Sequence, residues 1–361
     1  MTVVRFRPSP NWLLLFVPVS VLLDRSEHAS HTLVFFAAAL AIVPTARLIV
    51  QGTEHVASRT GPAIGGLLNA TFGNLPELII ATVALRSGLL EMVRASIIGA
   101  ILANLLMALG IALLIGGIRH HNQEFNARAA RVYSSMMLLA VISLAGPGAF
   151  ERVFSTAQHL PQVHAINVRL ALMLMAVYAL YLYFMLGTHR EEFAGEAEGG
   201  HHGEGPGWSL PRALGTLVGA SVLAAWMSEI LVGAAEGTGE ELGMSQTFIG
   251  MIIVAIVGGA AESLSAIAAG AKNKLDLTMG VVYGACIQIA LFVGPVLVLV
   301  SRMIAPEPLD LSFSRIELGV LLLTVLIGGS VGNDGKGNWF KGVQLLTVYA
   351  TIALLLYFVP A

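Results

Sequence analysis

Charge is scarce in this chain. Only 12% of its 361 residues are Asp, Glu, Lys or Arg, against about 25% in a typical soluble domain. The polar surface needed to clothe a water-facing globule is missing, which excludes a soluble enzyme. An excess of either sign is missing too: the net charge of −2 speaks against a nucleic-acid partner and against a polybasic membrane-surface protein. The single cysteine, Cys286, rules out an internal disulfide and any Cys-based metal cluster. Long polar segments are few. With 56% hydrophobic residues and about 20 apolar residues per bilayer crossing, the sequence leaves no room for a separate soluble domain.

Apolar runs between polar breaks predict eleven helices, near 11–23, 31–52, 62–86, 92–117, 129–147, 166–187, 209–232, 246–270, 277–301, 315–331 and 340–359. The chain is therefore read as an all-α polytopic membrane protein. Its first helix is short, holds Pro18 and follows Arg5 and Arg7, as a signal sequence does. No convincing small-residue cleavage site follows, so it is taken as a retained helix within an N-terminal segment, 1–30. With the N-terminus inside, twelve loop Lys and Arg residues fall on the inner side and seven on the outer, the asymmetry expected of cytoplasmic loops.

One stretch differs in composition. Residues 188–207 read THREEFAGEAEGGHHGEGPG, with five Glu, three His and one Arg. The plain reading is a solvated inner linker, 188–208, joining two halves. The sharper one is a regulatory cation sensor built from Glu191, Glu192, Glu196, Glu198, His201, His202 and Glu204, since clustered carboxylates suit hard cations and imidazoles add transition metals.

Self-similarity carries the chemistry. Residues 73–106 align with 258–291 without a gap, at a constant offset of 185. Gly73 pairs with Gly258, Glu77 with Glu262, and Gly99 with Gly284. Five predicted helices separate the starts of the two copies, so they cross the membrane in opposite directions, the inverted-repeat plan of secondary transporters. An acid in hydrocarbon costs roughly 2.5–3.5 kcal/mol even on insertion scales, and a purely structural role would not need the same acid at matching positions. In GNLPEL, Pro76 lacks an N–H and frees a carbonyl one turn earlier, Gly73 permits close backbone approach, and Asn74 shares a helix face with Glu77. Gly258 and Gly259 loosen the second copy similarly. Two carboxylates, freed carbonyls and an amide oxygen make an oxygen-only cage, the preference of a hard cation such as Ca²⁺. Two acids sharing a low-dielectric site bind protons and a cation in competition, which turns a binding site into an exchanger.

Secondary candidates are Glu54 and Glu229, each read as ending a helix that leads into a repeat copy, as gating or proton-access groups at opposite faces. Asn104 and Gln288 are candidate ligands or interhelical hydrogen-bonding groups. VGNDGKGNW at 331–339 lacks both P-loop spacing and the EF-hand ligand pattern and is read as a turn.

The sequence resembles the Ca²⁺/H⁺ antiporter (CAX) family of the cation/Ca²⁺ exchanger superfamily over nearly its whole length. GTEHVASRTGPAIGGLLNATFGNLPELI at 52–79 is similar to the family's first repeat, while GGAAESLSAIAAGAKNKLDL at 258–277 and GACIQIALFV at 284–293 are similar to the second. The acidic linker and NDGKGNWFKGVQLLTVY at 333–349 also fit. The resemblance implies one accessory helix plus two inverted five-helix repeats, here 31–187 and 209–361, and proton-driven Ca²⁺ export from the cytosol. It implies Glu77 and Glu262 as central ion- and proton-binding acids, Asn74 and Gln288 as polar members of the site, and Glu54 and Glu229 as flanking acids. Departures stand out: the family's usual GNAAEH has Gly259 for its Asn and Ser263 for its His, and Ala100, Ala285 and Cys286 stand at usual Ser positions.

These departures leave the ion open: an antiporter of Na⁺, K⁺ or Mn²⁺, or a cation channel, remains an alternative. No buried Asp pair, HExxH motif or Ser–His dyad points to an intramembrane enzyme, and no resident cofactor is expected beyond Ca²⁺ as the transported and regulatory ion. The expected partners are the lipid bilayer, Ca²⁺ and H⁺, with a homo-oligomer compatible with such a chain. A prokaryotic plasma membrane is the expected location, with the N-terminus and the 188–208 loop cytosolic.

Overall fold

The structure, a computed structural model, describes residues 10–60, 62–154, 160–193 and 208–358. A 3₁₀ turn at Pro10–Leu15 leads into α1 (Phe16–Asp24). Then come α2 (His31–Ala57), α3 (Pro62–Phe72), α4 (Leu75–Arg86), α5 (Leu90–His120), α6 (Ala127–Phe154) and α7 (Leu160–Tyr183). The second half holds α8 (Leu210–Leu242), α9 (Gln246–Gly258), α10 (Ala260–Ala271), α11 (Leu275–Ile304), α12 (Arg315–Gly332) and α13 (Trp339–Tyr357). Eight of these are long and apolar enough to cross a bilayer alone, and α9 with α10 forms a ninth crossing bent by 61°. The broken pair α3–α4 and the short α1 stand where the other two expected crossings fall, but neither is long and apolar enough by itself to count as one.

The offset of 185 reaches beyond residue identity into element boundaries. It carries Leu75–Arg86 onto Ala260–Ala271 and the first residue of α5 onto the first of α11. The turns between them match as well. Gly88 (φ +78°) corresponds to Asn273 (φ +61°), and left-handed backbone is what Gly supplies freely and Asn tolerates better than most residues. Both α5 and α11 contain a π turn at equivalent depth, at Ala103–Ala108 and Ile289–Val293.

The sides of the molecule follow from packing. A Cβ at Gly52 would touch Leu217 Cβ at 3.0 Å and Ala213 O at 3.2 Å, while one at Gly237 would run into the His31 ring. The helices α2 and α8 are therefore antiparallel over their length, and small residues let their backbones approach. Glu241, near the end of α8, caps the start of α2: the backbone N–H groups of His31 and Thr32 donate to its carboxylate at 3.0 and 3.1 Å. Orphan N–H groups at a helix start suit a carboxylate. The end of α2 and the start of α8 lie together on what we call the linker side, where Arg59 donates to Trp208 O and the His55 ring lies 4.6 Å from the Trp208 ring. The opposite face is the far side.

Burial sorts the helices into layers. The apolar windows of α5 and α11 are 83% and 72% buried within the protein, against 28% for α7 and α13. The first two are central; the others turn side chains such as Leu180 and Leu355 outward, where lipid takes the place of a protein core.

Three sequence expectations are corrected. Residues 62–86 are not one continuous helix, because Pro76, lacking an N–H, sits at the start of a new helix and the chain breaks at Gly73–Asn74. The helix expected to end at 232 continues to Leu242, closed by Gly243 at φ +65°, because apolar and small residues persist along its buried face. The 331–339 turn contains a strand, β2 (Lys336–Gly337), antiparallel to β1 (Gln123–Glu124).

Candidate ion-binding site

The two breaks in the crossings build the site. Asn74 (φ −92°, ψ 30°) and Gly259 (φ −79°, ψ 7°) are the N-cap residues of α4 and α10. Each half-helix thus opens at the core of the protein and places its acid, Glu77 or Glu262, in its first turn. Unpaired N–H groups and the positive end of the helix dipole lie there, so an acid is tolerated deep in the bundle.

Each acid packs against the hinge of the other repeat. A Cβ at Gly258 would sit 3.0 Å from Glu77 Cγ, and one at Gly73 would sit 3.3 Å from Glu262 Oε1 and 3.4 Å from Gln288 Oε1. The glycines are needed for this close approach, since a side chain there would occupy the space of the acid. With its nitrogen toward Glu262, the Asn74 amide donates to Oε2 at 2.9 Å and Oε1 at 3.2 Å, and its oxygen lies 3.0 Å from Gln288 Oε1. Asn104, on the π turn of α5, is 1% exposed. Its amide and both oxygens of Glu77 are buried without a hydrogen-bonding partner, as is Gln288 Nε2. Buried polar atoms in this condition cost roughly 1–3 kcal/mol each, so a cation, protons or water must complete the site. Among the described residues, Glu77, Glu262, Asn74, Gln288, Asn104, Gly73, Gly258 and Gly259 converge on this one place.

The packing around it departs from two-fold symmetry. On the far side, α9 presses onto α5: a Cβ at Gly99 would meet Met251 O, and one at Gly250 would meet Met92 O. A small, partly open cavity of about 20 Å³, roughly one water molecule in size, lies beside Glu77; Ser96 is its other polar lining residue. At the mirror position on the linker side, no described atom lies within 4 Å of a Cβ at Gly284. Gly65, the counterpart of Gly250, is turned to Ala57 O of α2 (2.5 Å from the Cβ position) instead of to α11. The α3 half-helix packs mainly on α2 and only lightly on α11, so the site is tightly packed toward the far side and loosely covered toward the linker side.

Other candidates lie apart. Glu54 is exposed in the last turn of α2 on the linker side. Glu229 does not end its helix; it sits within α8, its Oε1 3.9 Å from Arg86 Nη1 at the end of α4. Glu191 and Glu192 fall in a 3₁₀ turn, Arg190–Phe193, where the Glu192 carbonyl accepts from Asn126 Nδ2 at 2.7 Å. Glu196, Glu198, His201, His202 and Glu204 lie outside the described residues. Among the described residues, no group of three or more His, Cys, Asp or Glu side chains could hold a metal.

One signal was missed. Gly52–Thr53 and Gly237–Thr238 continue the same offset of 185. Thr53 Oγ1 donates to Ile49 O at 3.0 Å and Thr238 Oγ1 to Ala234 O at 2.7 Å, again equivalent positions. Extending the alignment upstream would have found them.

The sequence profile of the family described as sodium/calcium exchanger protein matches residues 30–187 and 212–358. A Ca(2+)/H(+) antiporter of Aphanothece halophytica is 40% identical over 360 residues, 96% of each chain. The Ca(2+)/H(+) antiporter ChaA of Bacillus subtilis is 38% identical, over 94% of this chain and 95% of its own. The solved structure of native YfkE superposes with a TM-score of 0.83 at 34% identity, covering 97% of this chain and 100% of that one.

Proposed function

The chain belongs to the sodium/calcium exchanger protein family, and from that membership we infer that it is a membrane antiporter exchanging Ca²⁺ for H⁺, not an enzyme. The observation that carries the reading is the reciprocal packing of Glu77 and Glu262, each against the hinge glycine of the other repeat. Full-length relatives named Ca(2+)/H(+) antiporters support the ion pair.

Glu77 and Glu262 hold the cation or the protons, and Asn74, Gln288 and Asn104 supply amide oxygens. Two carboxylates sharing a low-dielectric site cannot both stay charged without a counter-cation. Ca²⁺ therefore enters as protons leave, and the empty, fully ionised site is too costly to cross the membrane. Two protons per Ca²⁺ would be electroneutral. Each pH unit is worth roughly 1.4 kcal/mol per proton, so that stoichiometry sustains about a 100-fold Ca²⁺ gradient per unit.

The two repeats, 31–187 and 209–361, rock about the site. The loose packing of α3 favours a state with access from the linker side, which we take as the cytosolic face of a prokaryotic plasma membrane in keeping with the Lys and Arg distribution and the compact loops. In that state Glu262 is the acid met first, since both oxygens of Glu77 are sealed. Glu54 and Glu229 stand on the α2–α8 pair as access groups, and the 188–208 linker is a regulatory segment outside both repeats.

The test is pH-gradient-driven Ca²⁺ uptake in proteoliposomes. Glu77→Gln and Glu262→Gln are each expected to abolish uptake while the protein stays folded; near-normal uptake by either variant removes that acid from the mechanism.

A further inference from the structure

The two halves of the site differ at the N-cap of the half-helix that carries each acid. Asn74 and Gly259 are equivalent by the offset of 185, by backbone conformation and by position as N-caps. Asn74 donates to Glu262 at 2.9 and 3.2 Å. At position 259 there is no side chain, and around it stand four buried polar atoms without partners: both oxygens of Glu77 and both amide atoms of Asn104. A Cβ at Gly259 would lie 3.3 Å from Ala255 O, 3.5 Å from Glu77 Oε1 and 3.9 Å from Asn104 Nδ2. The missing amide would therefore have reached the atoms now left unpaired.

We propose that Gly259 is a specificity-determining residue: the gap beside Glu77 lets a divalent cation bind with a water of its hydration shell retained between Glu77 and Asn104. The inference rests on the antiport reading and concerns which cations that site accepts. A fixed amide imposes a ligand distance, whereas a retained water adapts to the ion. Ca²⁺ takes six to eight oxygens in flexible geometry, and smaller divalent cations give up their waters reluctantly. Retaining one water thus removes part of the penalty that a fully dehydrating site imposes on the smaller ion. Specificity is a difference between two binding free energies, and here the difference shrinks through the smaller ion's term. The Glu262 half, braced by Asn74, keeps the fixed geometry.

The experiment measures uptake of Ca²⁺ and of Mn²⁺ into acid-interior proteoliposomes. Wild type is expected to take up both. Gly259→Asn is expected to lower the Mn²⁺/Ca²⁺ uptake ratio by about fivefold or more, and Gly259→Ser, which adds a smaller partner for Glu77, by an intermediate amount. Gly259→Ala narrows the gap without supplying a polar partner and is expected to lower uptake of both ions. Monodisperse elution and thermal unfolding establish that each variant is folded, and the Ser variant carries the test should Asn prove too large. Unchanged ratios in both the Asn and the Ser variants overturn the proposal. Wild-type protein that takes up neither ion overturns the antiport reading instead, so the two failures are distinguishable.

Discussion

Glu77 and Glu262 occupy the same position of two equivalent half-helices, yet only Glu262 has an amide within hydrogen-bonding reach. Removing that amide should make the second acid resemble the first. Asn74→Gly leaves Glu262 unpaired, at a cost of roughly 1–3 kcal/mol, and the KM for Ca²⁺ is expected to rise about tenfold, the change that 1.4 kcal/mol produces. Adding Gly259→Asn to that variant moves the amide across the pseudo-two-fold axis and should recover part of the loss. A double variant no better than Asn74→Gly would show that the two halves are not interchangeable. The acids themselves were legible in the sequence because burying the same costly residue twice in register has few structural explanations. Their partners were not, because the approach of Asn74 to Glu262, far away in sequence, depends on how the two half-helices meet.

At the scale of elements, equivalent glycines have acquired different neighbours. Gly99 lies against the Met251 backbone, whereas its counterpart Gly284 has open space. Gly99→Ala is therefore expected to push α9 off α5 at a cost of about 1–3 kcal/mol, the usual range for overpacking, and Gly284→Ala to fall within about 0.5 kcal/mol of wild type. Thermal unfolding of the two variants in detergent checks the contrast, and equal losses would contradict the asymmetry. The helix count was readable from apolar runs, as were the glycines that loosen 62–86 and 246–270. Where the chain bends was not: periodicity registers an apolar face and is blind to a change of axis, so the 61° bend at Gly259 left no mark in it. The end of α8 was missed for a related reason, since Gly233, Glu236 and Gly237 in its last turns resemble a loop until the packing of Gly237 on His31 of α2 is known.

At the scale of the whole molecule, the leaning α3 gives the protein a direction. In a Cys286→Ser background, a membrane-impermeant maleimide applied from the linker side should label Gly284→Cys, while Ser96→Cys, lining the small far-side cavity, should stay largely unreacted from either side. Labelling of Ser96→Cys from the far side alone would reverse the assignment of the open face. The linker can be shortened with care. Phe193 is 5% exposed and packs against Tyr133 and Phe184, so deletion of 194–205 is expected to leave exchange intact, whereas a deletion that takes Phe193 also removes a core contact. Total loss of uptake on deleting 194–205 from folded protein would place transport function in the linker.

The sequence by itself determined the membrane class, the internal duplication and the pair of acids, because each depends on composition or spacing along the chain. Only the tertiary structure decided which amide serves which acid, which face of the site is closed and why Gly259 is not a neutral replacement. Those properties arise where the repeats meet, and there a duplicated pattern can pack in two unequal ways at little difference in free energy.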